Sequence, residues 1–453
     1  MKPFTLCDAL KAVGGCYYGD EAQLDAVIRR VTSDSRTAGP GTLFIALEGT
    51  RVDGHDFMAG CMAAGAAGCL SERAPAPNER PAIVVDSTFR ATGALAAWHR
   101  GRFDIPVIGI TGSVGKTTTK EMIAAVLSQR YNTHKTQKNL NNELGVPWTL
   151  MRLDDEHQVS VVEMGISDFG EMRRLTNMVR PTIAVFSVIG DAHLEFLGDR
   201  QGVMRAKGEI FEGMDGNGLA VLNGDDPIQR ECRPNMRRVT YGLSEGCDVR
   251  GEDVRNLGED GMHMTVRHSG GAFEVSIPAF GSHLACAALA AAAVGLELGL
   301  TGEEIARGIA GYETVGDRAR VIHANGMTVV SDCYNANPNS CQAAVDSLMR
   351  LQGARRVCIL GDMLELGPRS EALHRGVGAY AARAGVDLVV GCGPLSRAIA
   401  EGAKLEGGEV LYYEDKTRLL DALGDVVRPG DCVLVKASHS MAFEEIVGQL
   451  IKE

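Results

Sequence analysis

The stretch Thr111-Gly-Ser-Val-Gly-Lys-Thr-Thr118 restricts what this chain can fold into more than any other part of it. It stands between a strand-like run, Ile105-Pro-Val-Ile-Gly-Ile110, and a helix-like segment from Glu121 to Arg130. Glycines in such a loop let successive backbone N–H groups curl around phosphate oxygens, and the start of the helix adds partial positive charge. Lys116 is then placed to reach the terminal phosphates of a nucleoside triphosphate, and the Thr117 hydroxyl suits a magnesium ion. Gly112, Ser113, Val114, Gly115, Lys116, Thr117 and Thr118 are the expected phosphate site for ATP with Mg2+. The usual loop carries its first glycine where this chain has Ile110, so this is a shortened form. The bland alternative is a glycine-rich turn, and the strand and helix flanks argue against it.

A loop of this kind belongs to an α/β sheet, and the sequence around it has that rhythm. Short continuous apolar runs alternate with helical patterns, as buried parallel strands do. They are Val107–Ile110, Val159–Val162, Ile183–Val188 and Leu219–Leu222, followed by alternating strands from Val249 to Ile277 and an alanine-rich helix from Leu284 to Leu296. Before them, short strands at Thr42–Leu47 and Ala82–Val85 mix with helices. A second α/β rhythm starts near Gly316, with runs at Met327–Val330, Val357–Leu360, Val386–Val390 and Val433–Val435. The chain of 453 residues is too long for one ordinary domain. It divides into an N-terminal α/β domain (1–102), a central phosphate-loop domain with a mostly parallel sheet (103–315) and a C-terminal Rossmann-like α/β domain (316–453).

The net charge of −12 and the dispersal of basic residues argue against a nucleic-acid partner. The pairs Arg173-Arg174 and Arg237-Arg238 read as solvated faces. The twelve cysteines form no C-x-x-C pair, and several sit in apolar runs, which reads as reduced buried thiols. The N-terminus lacks a hydrophobic stretch of signal-peptide length, and the alanine-rich helix is too short to span a bilayer. The expectation is a cytoplasmic protein without membrane insertion.

Two more residues fall where a parallel sheet presents ligands, beyond the carboxyl ends of its strands. Glu163 ends the Val159–Val162 run, and His193 follows Ile183–Val188 by a short loop. Together they could hold a second metal ion; singly, each reads as a strand-end charge and a surface histidine. Lys207, in Arg205-Ala-Lys-Gly-Glu-Ile210 opening a helix, reads from pattern alone as a solvated lysine.

Taken together these residues resemble the Mur ligase family of ATP-dependent amide-bond-forming enzymes, over essentially the whole chain. The short loop at 111–118 matches, as do Asn139-Leu-Asn-Asn-Glu-Leu-Gly-Val-Pro147, Glu163-Met-Gly165, His193-Leu-Glu195 and Ala206-Lys-Gly-Glu-Ile-Phe211. Ser331-Asp-Cys-Tyr-Asn-Ala-Asn-Pro338 and Gly361-Asp-Met-Leu-Glu-Leu-Gly367 resemble the members that add D-alanyl-D-alanine to UDP-N-acetylmuramoyl-tripeptide. Thr32-Ser-Asp-Ser-Arg36 and Asp53-Gly-His55 resemble the family's UDP-substrate domain.

The resemblance implies roles. Lys116, Glu163, His193 and Lys207 would be catalytic, with Thr117, Glu163, His193 and a carbamylated Lys207 as metal ligands. Asp34, Ser35 and Arg36 would contact the UDP end of the substrate, and Asn139 and Asn142 the region of the phosphates and reacting carboxylate. Arg318 and Asp332 would close over ATP, and Tyr334, Asn335 and Asn337 would line the dipeptide side. Such an enzyme works in peptidoglycan precursor synthesis, and a monomer is expected. The chain departs from the family pattern at Leu284 and Ala287, where asparagines usually stand near the adenine. It departs again at Asp317-Arg318 and at Lys436-Ala-Ser-His439. Alternative readings are another Mur-type or folylpolyglutamate-type amide ligase, or a phosphate-loop nucleotide-binding protein without ligase chemistry.

Overall fold

The computed structural model describes the chain except residues 51, 259–260, 279–281, 315–319 and 453 and the side chains of Ser282 and His283. It is a mixed α/β protein with three large sheets and a small antiparallel pair, Phe4–Thr5 with Val27–Ile28.

The largest sheet has nine strands. The phosphate loop leaves the strand Val107–Thr111, which lies between Val159–Glu163 and Ile183–Phe186, parallel to both. Beyond Val159–Glu163 only the edge strand Thr133–Lys135 remains. On the other side Leu219–Asn223, Arg237–Gly242 and Val249–Asn256 continue in parallel, and Met262–His268 and Gly271–Ile277 close the sheet as an antiparallel meander. After Val107–Thr111 the chain builds one side of the sheet and then crosses to the other, so the loop sits at the switch point where α/β sheets open a crevice. The five residues of Val107–Thr111 and of Val159–Glu163 are all buried, which is why these segments read as unbroken apolar runs.

The helix Lys116–Leu127 starts at the loop lysine itself, earlier than the apolar pattern from Glu121 suggests. Against it packs Ser282–Glu297, whose alanines 287, 288 and 290–293 are buried. Small side chains let these two helices and Gly302–Ala310 come close over one face of the sheet.

The N-terminal segment forms a five-stranded sheet in the order Cys16–Tyr18, Ala82–Val84, Gly68–Ser71, Thr42–Ile45, Arg30–Thr32, with the first pair antiparallel. The helix Thr88–Arg100 ties it to the large sheet. Arg100 donates through Nε to the Val179 carbonyl (3.0 Å), and His99 Nε2 lies 3.0 Å from that of Leu153. One apolar cluster runs through both segments.

The C-terminal sheet has the order Arg320–Ala324, Met327–Ser331, Asp431–Lys436, Arg355–Gly361, Leu388–Cys392, Val410–Tyr413, parallel except for its first pair. Apolar clusters cover both faces, as a doubly wound sheet requires. Asp332 and Lys436 thus emerge at the carboxyl ends of neighbouring strands. All twelve cysteines are free thiols and seven are buried. Among the described residues no helix is long and apolar enough to cross a membrane.

Candidate active site

A cleft of about 760 Å3 opens between the large sheet and the C-terminal sheet. The phosphate loop forms its floor. Gly112 has φ +145°, and a Cβ there would stand 2.0 Å from Ser187 Oγ; Gly115 has φ +84°. No other residue type fits that pair of constraints, so the glycines serve the backbone path. Ser113 N–H donates to the Val188 carbonyl (2.7 Å), and Lys116 Nζ donates to the Gly112 carbonyl (2.9 Å), folding the lysine over its own loop.

Glu163 is the best-held charge in the site. Its side chain is 1% exposed. Thr117 Oγ1 donates to its carboxylate at 2.8 and 3.0 Å, and Asn141 Nδ2 donates to Oε1 at 2.8 Å. The fully buried Lys120 places Nζ 3.7 Å from Glu163 Oε2 and 3.0 Å from Glu121 Oε1, and Lys135 pairs with the far oxygen of Glu121. A hydroxyl and a carboxylate meeting beside a phosphate loop are hard oxygen donors, the chemistry a magnesium ion selects. Among the described residues no group of three or more His, Cys, Asp and Glu is placed to hold a metal ion. The fit therefore rests on Thr117 and Glu163 together with whatever oxygens a nucleotide brings.

The other expected residues are distributed unevenly. His193 lines the cleft, but its Nδ1 lies 2.5 Å from Glu365 Oε2 of the C-terminal segment. Lys207 does not open a helix; it lies near the end of Arg200–Gly208 and is 1% exposed, so the solvated reading fails. Burial, and then the charge of Lys116, push its ammonium well below the ordinary lysine value, with Glu171 opposing. Asn142 lines the cleft and its Oδ1 accepts from Gly145 N–H (2.9 Å), whereas Asn139 is exposed away from the wall.

From the C-terminal segment Asp332, Tyr334, Asn335 and Asn337 all reach the cleft. Lys436 Nζ, 2% exposed, donates to Asp332 Oδ2 (2.6 Å) and to the Asn335 carbonyl (2.8 Å). Asn337 also caps the helix Pro338–Met349, its Oδ1 accepting from Ser340 N–H. Asp34, Ser35 and Arg36 lie apart from the cleft wall, in the N-terminal segment. There the Arg36 guanidinium forks onto the Asp34 carboxylate at 2.7 and 2.8 Å. Arg318 lies outside the described residues. Leu284 is an apolar part of the wall, and Ala287 is buried.

Sequence reasoning missed Asn141, Lys120 and Glu365, and it named Lys436 only within a motif, without a role. Asn141 stands within the motif Asn139–Pro147, between the two asparagines to which the resemblance gives roles. Nothing in the pattern marks Lys120, which only the fold turns inward beneath Glu163.

Comparison with known proteins gives the family. Residues 27–102 match the model of the Mur ligase family, catalytic domain; residues 110–295 match the Mur ligase middle domain; residues 317–439 match the Mur ligase, glutamate ligase domain. The chain is 39% identical to UDP-N-acetylmuramoyl-tripeptide–D-alanyl-D-alanine ligase of Escherichia coli, covering 99% of each chain. A crystal structure of MurF from Acinetobacter baumannii superposes with a TM-score of 0.92 at 32% identity, covering all of both chains. MurF ligase from Thermotoga maritima in complex with ADP superposes with a TM-score of 0.83 at 29% identity, covering 94% of this chain and 97% of that one. The chain belongs to the Mur ligase family.

Proposed function

We propose that this chain is an ATP-dependent ligase that joins D-alanyl-D-alanine to UDP-N-acetylmuramoyl-tripeptide, forming ADP and phosphate, in peptidoglycan precursor synthesis. One observation carries the reading: a phosphate loop with a buried Glu163–Thr117 pair faces, across one cleft, the strand ends that bear Asp332 and Lys436. The relatives that share this architecture along their full length bear that activity in their names.

The chemistry follows from what a carboxylate lacks. It is a poor electrophile, so ATP first phosphorylates it to an acyl phosphate. The dipeptide amine then attacks the acyl carbon, and the tetrahedral species collapses as the carbon–oxygen bond to phosphate breaks and one amine proton is released. In this reading Lys116 and the loop N–H groups from Gly112 to Thr118 hold the phosphates and offset charge on the phosphoryl group in transit. Thr117 would hold a first magnesium ion, and Glu163 and His193, with Lys207 as a carbamate, would hold a second; the ions would supply further charge neutralisation. Burial disfavours the Lys207 ammonium relative to the neutral amine, which is the form that adds carbon dioxide, and carbamylation would turn Lys207 into an anion. Asn142 approaches the reacting carboxylate from the cleft wall, Asp34–Arg36 take the UDP end, Asp332 and Arg318 close over ATP, and Tyr334, Asn335 and Asn337 receive the dipeptide. Domains of 1–102, 103–315 and 316–453 bring the three substrates together, and closure keeps water from the acyl phosphate. The proposal includes action in the cytoplasm as a monomer.

The test is phosphate release. It should require ATP, the UDP-tripeptide and D-alanyl-D-alanine together, and equal turnover with a single amino acid in place of the dipeptide rejects the reading. Running the lysine and diaminopimelate forms of the tripeptide side by side identifies the third residue.

A further inference from the structure

One segment following the strand Ile183–Phe186, residues 187–195, which runs into the helix Leu194–Leu197, is gripped from two sides. On the inner side it is bonded to the phosphate loop. Ser187 Oγ donates to the Val114 carbonyl (2.7 Å), Ser113 N–H to that of Val188, and Ser113 Oγ to that of Gly190 (3.2 Å). On the outer side it is bonded to the C-terminal segment. Asp191 N–H donates to Asn339 Oδ1 (2.8 Å), His193 Nδ1 lies 2.5 Å from Glu365 Oε2, and Glu195 N–H donates to the Glu365 carbonyl (3.4 Å). The fit is close. A Cβ at Gly190 would stand 2.5 Å from Asn339 Oδ1, and one at Gly367 would stand 3.0 Å from Glu195 Cα. His193 and Glu365 both hold left-handed backbone, at φ 54° and 62°, which L-residues adopt only when their surroundings compensate.

Rearrangement of Ser113 around phosphates would disturb its hydrogen bond to the Gly190 carbonyl, and the next N–H, that of Asp191, is the one Asn339 holds. We propose that Asn339 and Glu365 are positioning residues: through residues 187–195 they couple occupancy of the phosphate loop to docking of the C-terminal domain. Glu365 also fixes His193 by occupying Nδ1, which leaves Nε2 as the ring's coordinating atom, an arrangement common around histidine ligands. Half the Glu365 side chain is exposed, so the pair is weak by itself. Weakness suits a contact that must open at each turnover for products to leave. The proposal rests on the ligase reading for its purpose, but not for its measurement.

The test uses the full chain with ADP and magnesium as the probe. Spin or fluorescence labels on the central and C-terminal domains report their distance, and calorimetry reports ADP affinity. For the parent, ADP with magnesium should shift the distances toward one short state. In N339A/E365A a long-distance population should persist at saturation, and ADP affinity should fall roughly fivefold or more, as coupling requires. N339D and E365Q keep an acceptor oxygen at each position and should restore both readouts, which separates the coupling from general loss of fold. Distances in the parent that ignore ADP overturn the proposal. So does a double variant with the parent's distances and an affinity within about twofold of it. Absence of dipeptide-dependent phosphate release in the parent would instead reject the ligase reading and leave the coupling standing.

Discussion

Lys120 Nζ lies 3.7 Å from Glu163 Oε2 with both side chains shut off from solvent, one at 0% and the other at 1% exposure. A carboxylate so buried needs compensation, and Thr117, Asn141 and Lys120 provide it from three directions. Lys120 also faces Glu121, which Lys135 shares, so charges alternate from the protein surface to the site. K120M strands Glu121 and Glu163 without their shared cation and should cost about 3 kcal/mol of stability in urea denaturation. E163Q/K120M should be less destabilised than the two single changes added together, because the interaction is shared. Strict additivity would show that Lys120 does not compensate Glu163.

Lys207 offers a sharper test of the metal side. If it carries a carbamate, K207A should nearly abolish turnover, and short carboxylic acids added to the assay should restore part of it. Its burial shifts the balance toward the neutral amine that this modification needs. Full activity in K207A would leave Lys207 as packing alone.

The parts of this molecule legible in the sequence are those whose environment is uniform along the chain. Val107–Thr111 and Val159–Glu163 are buried on both faces, so every residue reports the same thing. Edge strands such as Thr133–Lys135 and Cys16–Tyr18 are short and partly exposed, and their residues carry no such signal. The phosphate loop was legible because its glycines answer to local backbone geometry. Lys120 and Lys207 were not, because a lysine's surroundings are set by what packs over it from elsewhere. Glu365 meets His193 across 172 positions of sequence, and only the docking of two sheets creates that contact.

Leu284 on the cleft wall can donate no hydrogen bond to a base edge. Apolar contact discriminates weakly, by about a hundredfold, whereas a site built to hydrogen-bond its ligand rejects others by about 10^4 or more. The ratio of kcat/KM for ATP over GTP should therefore fall in the lower range, and L284N should raise it. A ratio in the higher range for the parent would place base recognition on groups other than this helix.

Stability should fall in mild acid, and two histidines set the sign. Burial holds His99 down to about 4 and His134 down to about 3, so both are neutral in the fold at pH values where an unfolded chain protonates them. A folded value below the unfolded one means that the unfolded state binds more protons, so stability is complete above the unfolded histidine value of about 6.5 and declines as pH drops below it. The decline continues until each folded value is reached. Between pH 7 and 5 each residue should remove about 2 kcal/mol. Urea denaturation of the transition that unfolds the large sheet, followed across that range, measures the loss. H99Q keeps a donor for the Leu153 carbonyl that His99 Nε2 faces, and it should shrink the acid loss by about 2 kcal/mol. A parent equally stable at pH 5 and pH 7 would mean that one or both rings are protonated inside the fold, and the burial argument would then fail.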